Sequence, residues 1–301
     1  MRRVVSFPQY HLTIGVLGSS PNGTYAPGIV QCPANTTSFI RQASTGLSAN
    51  ETKWLNLRRP NVINSLESWL PRALANVANS TFNVSAYISA LRNNESQTPI
   101  VGLGLSGGGA RASLSGFGAW QAFDERWPAA NQSGIGGLAQ VLTYYAGLSG
   151  GGPPVGGLAF SNYSTVQSLL NDGSYLGNIS ASAISYYNQT VQQATFTSYI
   201  EQIASKAEQG FNVSVSDIFS FVFASSFLFN GSYPSISVPL MGRTWSDIQN
   251  YPAFSEGFYP MPIIMATEVV PPGIPNVTLA YGVLYPASNS SNDTIVRPHS
   301  I

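Results

Sequence analysis

The sequence has few charged residues, and the two signs are balanced. Lys and Arg number 13, Asp and Glu also number 13, and together they make up 9% of the 301 residues. Globular domains typically carry about a quarter. Proteins that bind nucleic acid concentrate basic residues in a patch or stripe, and the sequence has no such cluster. Nucleic acid is therefore excluded as an expected partner.

Cysteine and long apolar runs are also scarce. Cys32 is the single cysteine, so in a secreted protein we expect a free thiol or a partner outside this chain. No segment has the 18 or more uninterrupted apolar residues of a membrane span, and the Phe-rich run 219–229 is too short to cross a bilayer. Residues 1–20 combine Arg2 and Arg3 with an interrupted apolar stretch, which suits a degraded signal peptide or a wrongly assigned start.

Asparagine, in contrast, is abundant and specifically placed. Of 22 asparagines, 15 begin an Asn-X-Ser/Thr sequon. The alternative interpretation is a surface that is merely rich in Asn and Ser, but fifteen sequons favour N-glycosylation. Glycans would also solubilise a surface that carries few charges. We therefore expect a secreted or cell-surface glycoprotein. The predicted glycosylation sites are Asn22, Asn35, Asn50, Asn79, Asn83, Asn94, Asn131, Asn162, Asn178, Asn188, Asn212, Asn230, Asn276, Asn289 and Asn292.

The N-terminal third shows helical patterns. Ser48 and Glu51 form a capping box that predicts the start of a short helix, and we expect Pro60 to break it. Apolar residues at helical spacing over 62–70 predict a second, amphipathic helix, which Pro71 closes or kinks.

Strand-like runs alternate with helical patterns further along. Residues 99–105 and 261–270 predict buried strands, and the stripe over 114–127 predicts a helix directly after the first of them. No internal repeat is present. Strands that alternate with helices predict an α/β fold, with a layered sheet flanked by helices.

Two glycine-rich segments follow apolar runs. Residues 147–151, GLSGG, fit the G-x-S-x-G pattern of a strand-to-helix turn that exposes a serine hydroxyl, here Ser149. Residues 106–111, SGGGAR, open a helix whose amide groups could hold an oxyanion, and Arg111 could bind a phosphate. A P-loop or dinucleotide turn is the alternative, but the Lys-Ser/Thr and the spacing that these require are absent. We expect the Ser149 hydroxyl to lie beside the backbone amides of residues 107–109, and these two glycine-rich segments together predict acyl transfer.

The sequence has almost no histidine to serve as the base. His11 and His299 lie near the chain ends, which disfavours a Ser-His-Asp triad. A carboxylate hydrogen-bonded to the serine could act instead. The sequence does not distinguish among the candidates, although Asp172 is more typical of a turn and Asp124 of the polar side of a helix. The candidates are Asp124, Asp172, Asp217, Asp247 and Asp293.

Several segments together resemble the fungal lysophospholipase (phospholipase B) family. They are GLSGGGARAS, GIGGLAQVLTYYAGLSGG, CPANTTSFIRQASTGLSANETKWLNLRR, GFNVSVSDIFS and FYPMPIIMATEVVPPG. The catalytic domain of this family is similar to those of the group IV cytosolic phospholipases and, more distantly, patatin. The resemblance covers about residues 20 to 285 and implies that residues 21–301 are the N-terminal part of such a domain, incomplete at the C-terminus.

The resemblance also implies roles for individual residues. The family uses a Ser-Asp dyad without histidine, with Ser149 as the nucleophile and Gly107 and Gly108 as the oxyanion hole. Arg111 faces the substrate phosphate or orders its loop. The family's aspartate belongs to a D-G-G-like motif that lies beyond residue 301, and any C-terminal lipid anchor would also lie outside this chain.

This sequence departs from the family pattern beside the nucleophile. Gly152-Pro153-Pro154 stands where the family has Ser-Trp, and Ala110 replaces an aromatic residue. We expect Gly152, Gly156 and Gly157 to loosen the helix that supports Ser149.

Two hypotheses about function follow. In the first, the chain hydrolyses fatty acyl esters of lysophospholipids and phospholipids at a membrane surface or micelle, without metal, cofactor or protein partner. The Phe-rich run 219–229 would wall the acyl site, although ordinary buried core is the favoured interpretation. In the second, the chain is a catalytically inactive, glycosylated lipid-binding remnant.

Overall fold

The computed structural model describes residues 25–27, 40–172, 189–220, 245–268, 280–284 and 295–297. Within these residues six strands form one sheet in the order β1-β6-β5-β4-β3-β2. The strands are β1 (Ile40–Gln42), β2 (Gly102–Leu105), β3 (Tyr144–Leu148), β4 (Met261–Glu268), β5 (Ala280–Leu284) and β6 (Ile295–Arg297).

The sheet is mixed, and its parallel part carries the glycine-rich turns. Strands β2, β3 and β4 are parallel neighbours, with Gly104 opposite Ala146 and Tyr144 opposite Met261. Strand β5 is antiparallel to β4 and β6, and β1 is parallel to β6. Parallel neighbours require crossover connections, usually helices, and their carboxyl ends meet at one edge of the sheet. The predicted α/β fold with a layered, helix-flanked sheet is confirmed.

Helices form most of the remaining described chain. The α-helices are α1 (Ala49–Leu74), α2 (Val84–Asn93), α3 (Gly109–Phe123), α4 (Pro128–Gln132), α5 (Leu138–Val141), α6 (Gly152–Phe160), α7 (Val166–Asp172), α8 (Gln189–Glu208) and α9 (Pro252–Ser255), with residues 215–220 also helical. Short 3-10 helices lie at Ala43–Thr45, Glu95–Gln97, Ser149–Gly151 and Trp245–Asn250. No helix in these ranges combines the length and apolar character needed to cross a bilayer.

Helix α1 begins as predicted but does not end as predicted. The Ser48 side chain accepts a hydrogen bond from the Glu51 amide, which confirms the N-cap. The predicted break at Pro60 is wrong, because α1 continues through both Pro60 and Pro71. An interior proline costs about 3 kcal/mol, and burial of apolar side chains on both sides of Pro60 offsets this cost. These side chains are Trp54, Leu55, Val62, Ile63 and Leu66.

A buried arginine of α1 joins this helix to the sheet. The Arg58 side chain is fully buried and donates to the backbone carbonyls of Leu142, just before β3, and of Gly257 and Phe258, just before β4. Burial lowers the pKa of Arg58 to about 10, so the guanidinium stays charged at neutral pH. The clamp fixes where β3 and β4 begin, and therefore where their carboxyl ends emerge.

Strand β2 differs from its prediction in burial. It lies at one end of the six-stranded sheet, where Gly102 and Gly104 are exposed while Leu103 and Leu105 are partly buried. The strand was predicted correctly, but a buried strand was expected. An apolar run alone does not distinguish a central strand from an edge strand, because both direct apolar side chains toward the core.

Helix α3 supplies the core beneath the parallel strands. Phe117 and Trp120 are buried, whereas Leu114, part of the same predicted stripe, is 46% exposed. The Trp120 ring lies 4.9 Å from that of Tyr145 on β3 and 5.4 Å from that of Tyr163. Helix α3 ends at Phe123, four residues before the predicted end, with Asp124 as its C-cap.

Candidate active site

Ser149 follows the last residue of β3, between the ends of the two parallel neighbours of that strand. Its side chain is exposed, and its φ angle is 51°, in the left-handed region. Side chains avoid this region because the Cβ crowds the following carbonyl, at a cost of about 1–2 kcal/mol. In open α/β sheets ligands bind beyond the carboxyl ends of the strands. The conformation and the place both suit a nucleophile presented to a substrate.

The glycines around Ser149 are required by close backbone contacts. A Cβ atom at Gly147 would lie 2.1 Å from the Gly151 carbonyl oxygen, and one at Gly151 would lie 2.6 Å from the Leu105 carbonyl oxygen. Neither position has room for a side chain. This is the physical reason for the G-x-S-x-G spacing in this chain.

The second glycine-rich segment lies directly against the first. It connects β2 to α3, and a Cβ atom at Gly107 would sit 3.0 Å from Cβ and 3.4 Å from Oγ of Ser149. The parallel register, with Leu105 opposite Gly147, brings the two strand ends to the same edge. The structure therefore places Gly107 beside the Ser149 hydroxyl, as the two glycine clusters had led us to expect.

The N-terminus of α3 faces this edge without a capping side chain. Gly108 is its N-cap residue and has a φ of 144°, which side chains rarely adopt. The first amides of a helix carry partial positive charge and attract anions. Arg111 lies exposed in the first turn of α3. The arrangement provides donors and positive charge at the end of β2.

Ser113 is a residue of this region that was not among those predicted from the sequence. Its hydroxyl donates to the Gly150 carbonyl at 2.6 Å and lies 3.3 Å from the Gly109 carbonyl. The side chain is completely buried. The only sign of its role in the sequence was a serine near the start of an otherwise apolar helix face. Such a serine usually forms a hydrogen bond to a carbonyl of its own helix, so the contact with Gly150 was not expected.

Helix α6, which follows Ser149, forms despite its glycines. It runs from Gly152 to Phe160 and begins with two prolines in its first turn, where the missing amide hydrogens are tolerated. Gly156 and Gly157 are buried within it. The helix forms with these glycines in place, and its apolar side chains Val155 and Leu158 are fully buried against the core.

Asp124, one of the candidate bases, lies far from Ser149. It caps the C-terminal end of α3, about 22 Å from Gly109 at 1.5 Å per residue. The prediction that it lies on the polar side of a helix is wrong, since it is 2% exposed. Its carboxylate accepts from Arg126 Nη2 at 2.6 Å and from Gln140 Nε2 at 2.8 Å, and these two partners satisfy its charge in the interior.

Asp217 is engaged in a different cluster. It accepts hydrogen bonds from the Tyr25 hydroxyl at 2.6 Å, the Ser214 amide at 2.7 Å and the Lys206 ammonium at 2.5 Å. Burial acts to raise its pKa, but the hydrogen bonds from Lys206, Tyr25 and Ser214 outweigh burial and lower the pKa to about 2. This carboxylate stabilises the fold and already has a cation as its partner.

The remaining candidate bases receive no role from the structure. Asp172 is the last residue of α7, so it lies in a helix rather than in the predicted turn, and Asp247 lies in the 3-10 helix Trp245–Asn250. Asp293, His11 and His299 lie outside the described residues, as does Cys32. No group of three or more His, Cys, Asp and Glu side chains suited to a metal ion occurs in the part of the chain that the structure describes.

The described sequon asparagines all reach the surface. Asn50 is partly exposed and the other six are exposed. The remaining eight sequons lie outside the described residues. The described set comprises Asn50, Asn79, Asn83, Asn94, Asn131, Asn162 and Asn212.

Only the start of the Phe-rich run 219–229, which was considered as a lining of the acyl site, lies within the described residues. Phe219 is helical and 66% exposed, and residues 221–229 lie outside the described ranges.

Two apolar cavities, of about 210 and 320 Å³, share Gln121 and Trp127 in their linings. They lie toward the C-terminal end of α3, the end opposite to Ser149.

Comparisons with known proteins identify similar sequences. Residues 101–280 match the family model of the lysophospholipase catalytic domain. Lysophospholipase 2 of Candida glabrata is 38% identical over 248 residues, which is 81% of this chain and 34% of that protein. Lysophospholipase 2 of Saccharomyces cerevisiae is 35% identical over 261 residues, 85% of this chain and 36% of that protein. The chain thus spans about a third of the length of these curated relatives.

Solved structures support the same fold. Human GIVD cytosolic phospholipase A2 superimposes with a TM-score of 0.56 at 19% identity, over 80% of this chain and 26% of that chain. The family match includes β2, α3, β3 and α6, the elements that carry both glycine-rich turns. It covers more than half of the sequence, and the predicted resemblance is confirmed: the chain belongs to the lysophospholipase catalytic-domain family, with a fold similar to that of cytosolic phospholipase A2.

Proposed function

We propose that this chain carries the nucleophile side of an esterase site that hydrolyses fatty acyl esters of lysophospholipids and phospholipids. The observation that supports it best is Ser149, exposed at a left-handed φ of 51° with Gly107 against its hydroxyl. Membership of the lysophospholipase family supplies the substrate class.

The proposed reaction has two stages. Ser149 Oγ forms a bond to the ester carbonyl carbon while its proton passes to a carboxylate base, and the amides of Gly107 and Gly108 stabilise the oxyanion. The carbon–oxygen bond to the glycerol then breaks, and the glycerol oxygen leaves with that proton. Water, activated by the same base, attacks the acyl-serine ester and releases the fatty acid.

We propose that the base is an aspartate, without assigning it to a particular residue. An aspartate is what the family resemblance implies, and both Asp124 and Asp217 are engaged with cations. The exposed Arg111, at the positive end of α3, is proposed to bind the substrate phosphate or to order the loop. No metal or cofactor is required for this chemistry.

We further propose that the protein is secreted or displayed on the cell surface as a glycoprotein and acts on lipids in membranes or micelles. Support comes from the 15 sequons and from the exposure or partial exposure of the seven that are described. Glycans at these positions would add polar surface to a chain with only 9% charged residues.

An inactive, glycosylated lipid-binding protein is the second candidate. The observation that favours it is the pairing of Asp124 with Arg126 and of Asp217 with Lys206, since a serine without a base retains little reactivity. On this hypothesis the folded chain binds lysophosphatidylcholine without cleaving it.

A fluorophosphonate probe separates the two candidates. A structure of human GIVD cytosolic phospholipase A2 contains methyl gamma-linolenyl fluorophosphonate, so this reagent suits the fold. We expect labelling of the purified chain at Ser149, no labelling of S149A, and normal labelling of S115A, which changes an exposed serine of α3. Lysophosphatidylcholine hydrolysis, which also needs the carboxylate base, should follow the same order in a protein that includes that base. A folded chain that binds this lipid but takes up no probe would reject the esterase in favour of the second candidate.

A further inference from the structure

A hydrogen bond joins α3 to the turn that carries Ser149. The Ser113 hydroxyl lies one helical turn after Gly109 and can donate its single hydrogen to one acceptor fully. The Gly150 carbonyl lies at 2.6 Å, whereas the Gly109 carbonyl of the same helix lies at 3.3 Å. The shorter contact therefore crosses from α3 to the residue directly after Ser149, in a place from which water is excluded.

Gly150 also lies directly against the first residue of α3, Gly109. A Cβ atom there would lie 2.3 Å from the Gly109 oxygen and 2.6 Å from the Gly109 nitrogen, so its backbone rests directly on the first turn of α3. The Ser113 bond and this contact together fix the position and the direction of the Gly150 peptide. Gly150 itself offers no side chain that could do so.

The residue after the nucleophile matters for catalysis on strand-to-helix turns. Its backbone amide commonly donates to the oxyanion that forms when the serine attacks. Ser149 also holds a strained φ, and such strain persists only where the surroundings over-determine the conformation. A restraint on Gly150 therefore acts on the conformation of Ser149 and on the Gly150 amide, which would add a donor to those proposed at Gly107 and Gly108.

We propose that Ser113 is a positioning residue, which holds Gly150 so that its amide and the Ser149 hydroxyl keep their reactive geometry. This inference rests on the esterase function proposed above. Ser113 touches no substrate and acts through the Gly150 carbonyl. A misplacement of about 1 Å can cost up to about 100-fold in rate, so loss of one of several restraints should cost about tenfold.

The experiment measures how fast the fluorophosphonate inactivates Ser149. In this reaction Ser149 Oγ bonds to phosphorus, fluoride leaves, and the hydroxyl proton is released to solvent. We compare the wild-type chain with S113A, with S113C, which keeps a side-chain donor but a weaker one on a larger atom, and with S115A as the matched control on the same helix. The maximal rate, the half-saturating probe concentration and the melting temperature are measured for each.

We expect S113A to lower the maximal rate about tenfold at an unchanged half-saturating concentration, with S113C intermediate and S115A like wild type. Equal rates for S113A and S115A would overturn the positioning role. If S113A does not fold, S113C decides, because a wild-type rate in that variant contradicts the proposal and a reduced rate at wild-type melting temperature supports it. A folded wild-type chain that takes up no probe rejects the esterase function itself, a separate outcome.

Discussion

At the scale of single residues, Ser149 combines exposure with an unfavourable backbone conformation. Its φ of 51° would suit glycine better than serine, yet glycine would remove the hydroxyl. The strain is therefore maintained for the hydroxyl rather than for the fold. Gly107 and Gly150, which contact this turn and the start of α3, provide the close packing that keeps Ser149 in this conformation.

This strain predicts different stabilities for two substitutions that both remove the hydroxyl. S149G should raise the free energy of unfolding by about 1 kcal/mol relative to S149A, because glycine relieves the left-handed strain and alanine keeps it. Urea unfolding of the two variants measures the difference. Equal stability of the two would show that the turn relaxes when the hydroxyl is lost.

At the scale of elements, the site is a contact between two strand-turn-helix units. Strand β2 with α3 and strand β3 with α6 are parallel neighbours, and their turns touch where the strands end. The glycines are the points of contact, so they set how closely the two units approach.

The contact predicts that identical substitutions at two glycines have different outcomes. G150A places a methyl group 2.3 Å from the Gly109 oxygen and should destabilise the chain by several kcal/mol and abolish labelling of Ser149. G118A on the same helix face as Leu114 meets no atom within 4 Å and should gain up to about 1 kcal/mol, since alanine favours helix. Thermal melts and probe labelling test both variants, and a stable, reactive G150A would contradict the geometry.

Much of this element-level arrangement could be predicted from the sequence. Apolar runs that end in glycine clusters mark strand ends, so the turns at Gly107 and Ser149 were expected to meet. Local patterns did not reveal that α1 continues through Pro60, because the packing that offsets the proline comes from distant residues. The bond from Ser113 and the burial of Asp124 depend on tertiary neighbours in the same way, and no local spacing encodes them.

At the scale of the whole molecule, Asp217 joins segments that are far apart in sequence. Its bonds connect Tyr25 to Lys206 of α8 and to the amide of Ser214. The folded-state pKa of about 2 lies below the ordinary aspartate value of 3.8. The ionised carboxylate therefore contributes stability that is fully present above about pH 4 and is lost as the pH falls toward 2.

The sign of this shift gives a pH prediction. Wild-type stability should fall between pH 4 and pH 2, whereas D217N should be less stable at neutral pH and show a shallower fall over that interval. E67Q, which alters an exposed carboxylate paired with Arg92, should keep the wild-type profile. Denaturant unfolding at a series of pH values provides the measurement. A D217N profile as steep as that of wild type would assign the acid loss to other groups.

The hydrogen bonds of Arg58 have a consequence for how the protein unfolds locally. Helix α1 is a continuous rod about 39 Å long, and one of its side chains grips the chain immediately before two adjacent strands. Helix α1 therefore cannot separate from the sheet unless the hydrogen bonds of Arg58 to the segments before β3 and β4 break. Amide hydrogens in the middle of α1, β3 and β4 should therefore exchange with deuterium as one cooperative unit, slower than those at either end of the rod.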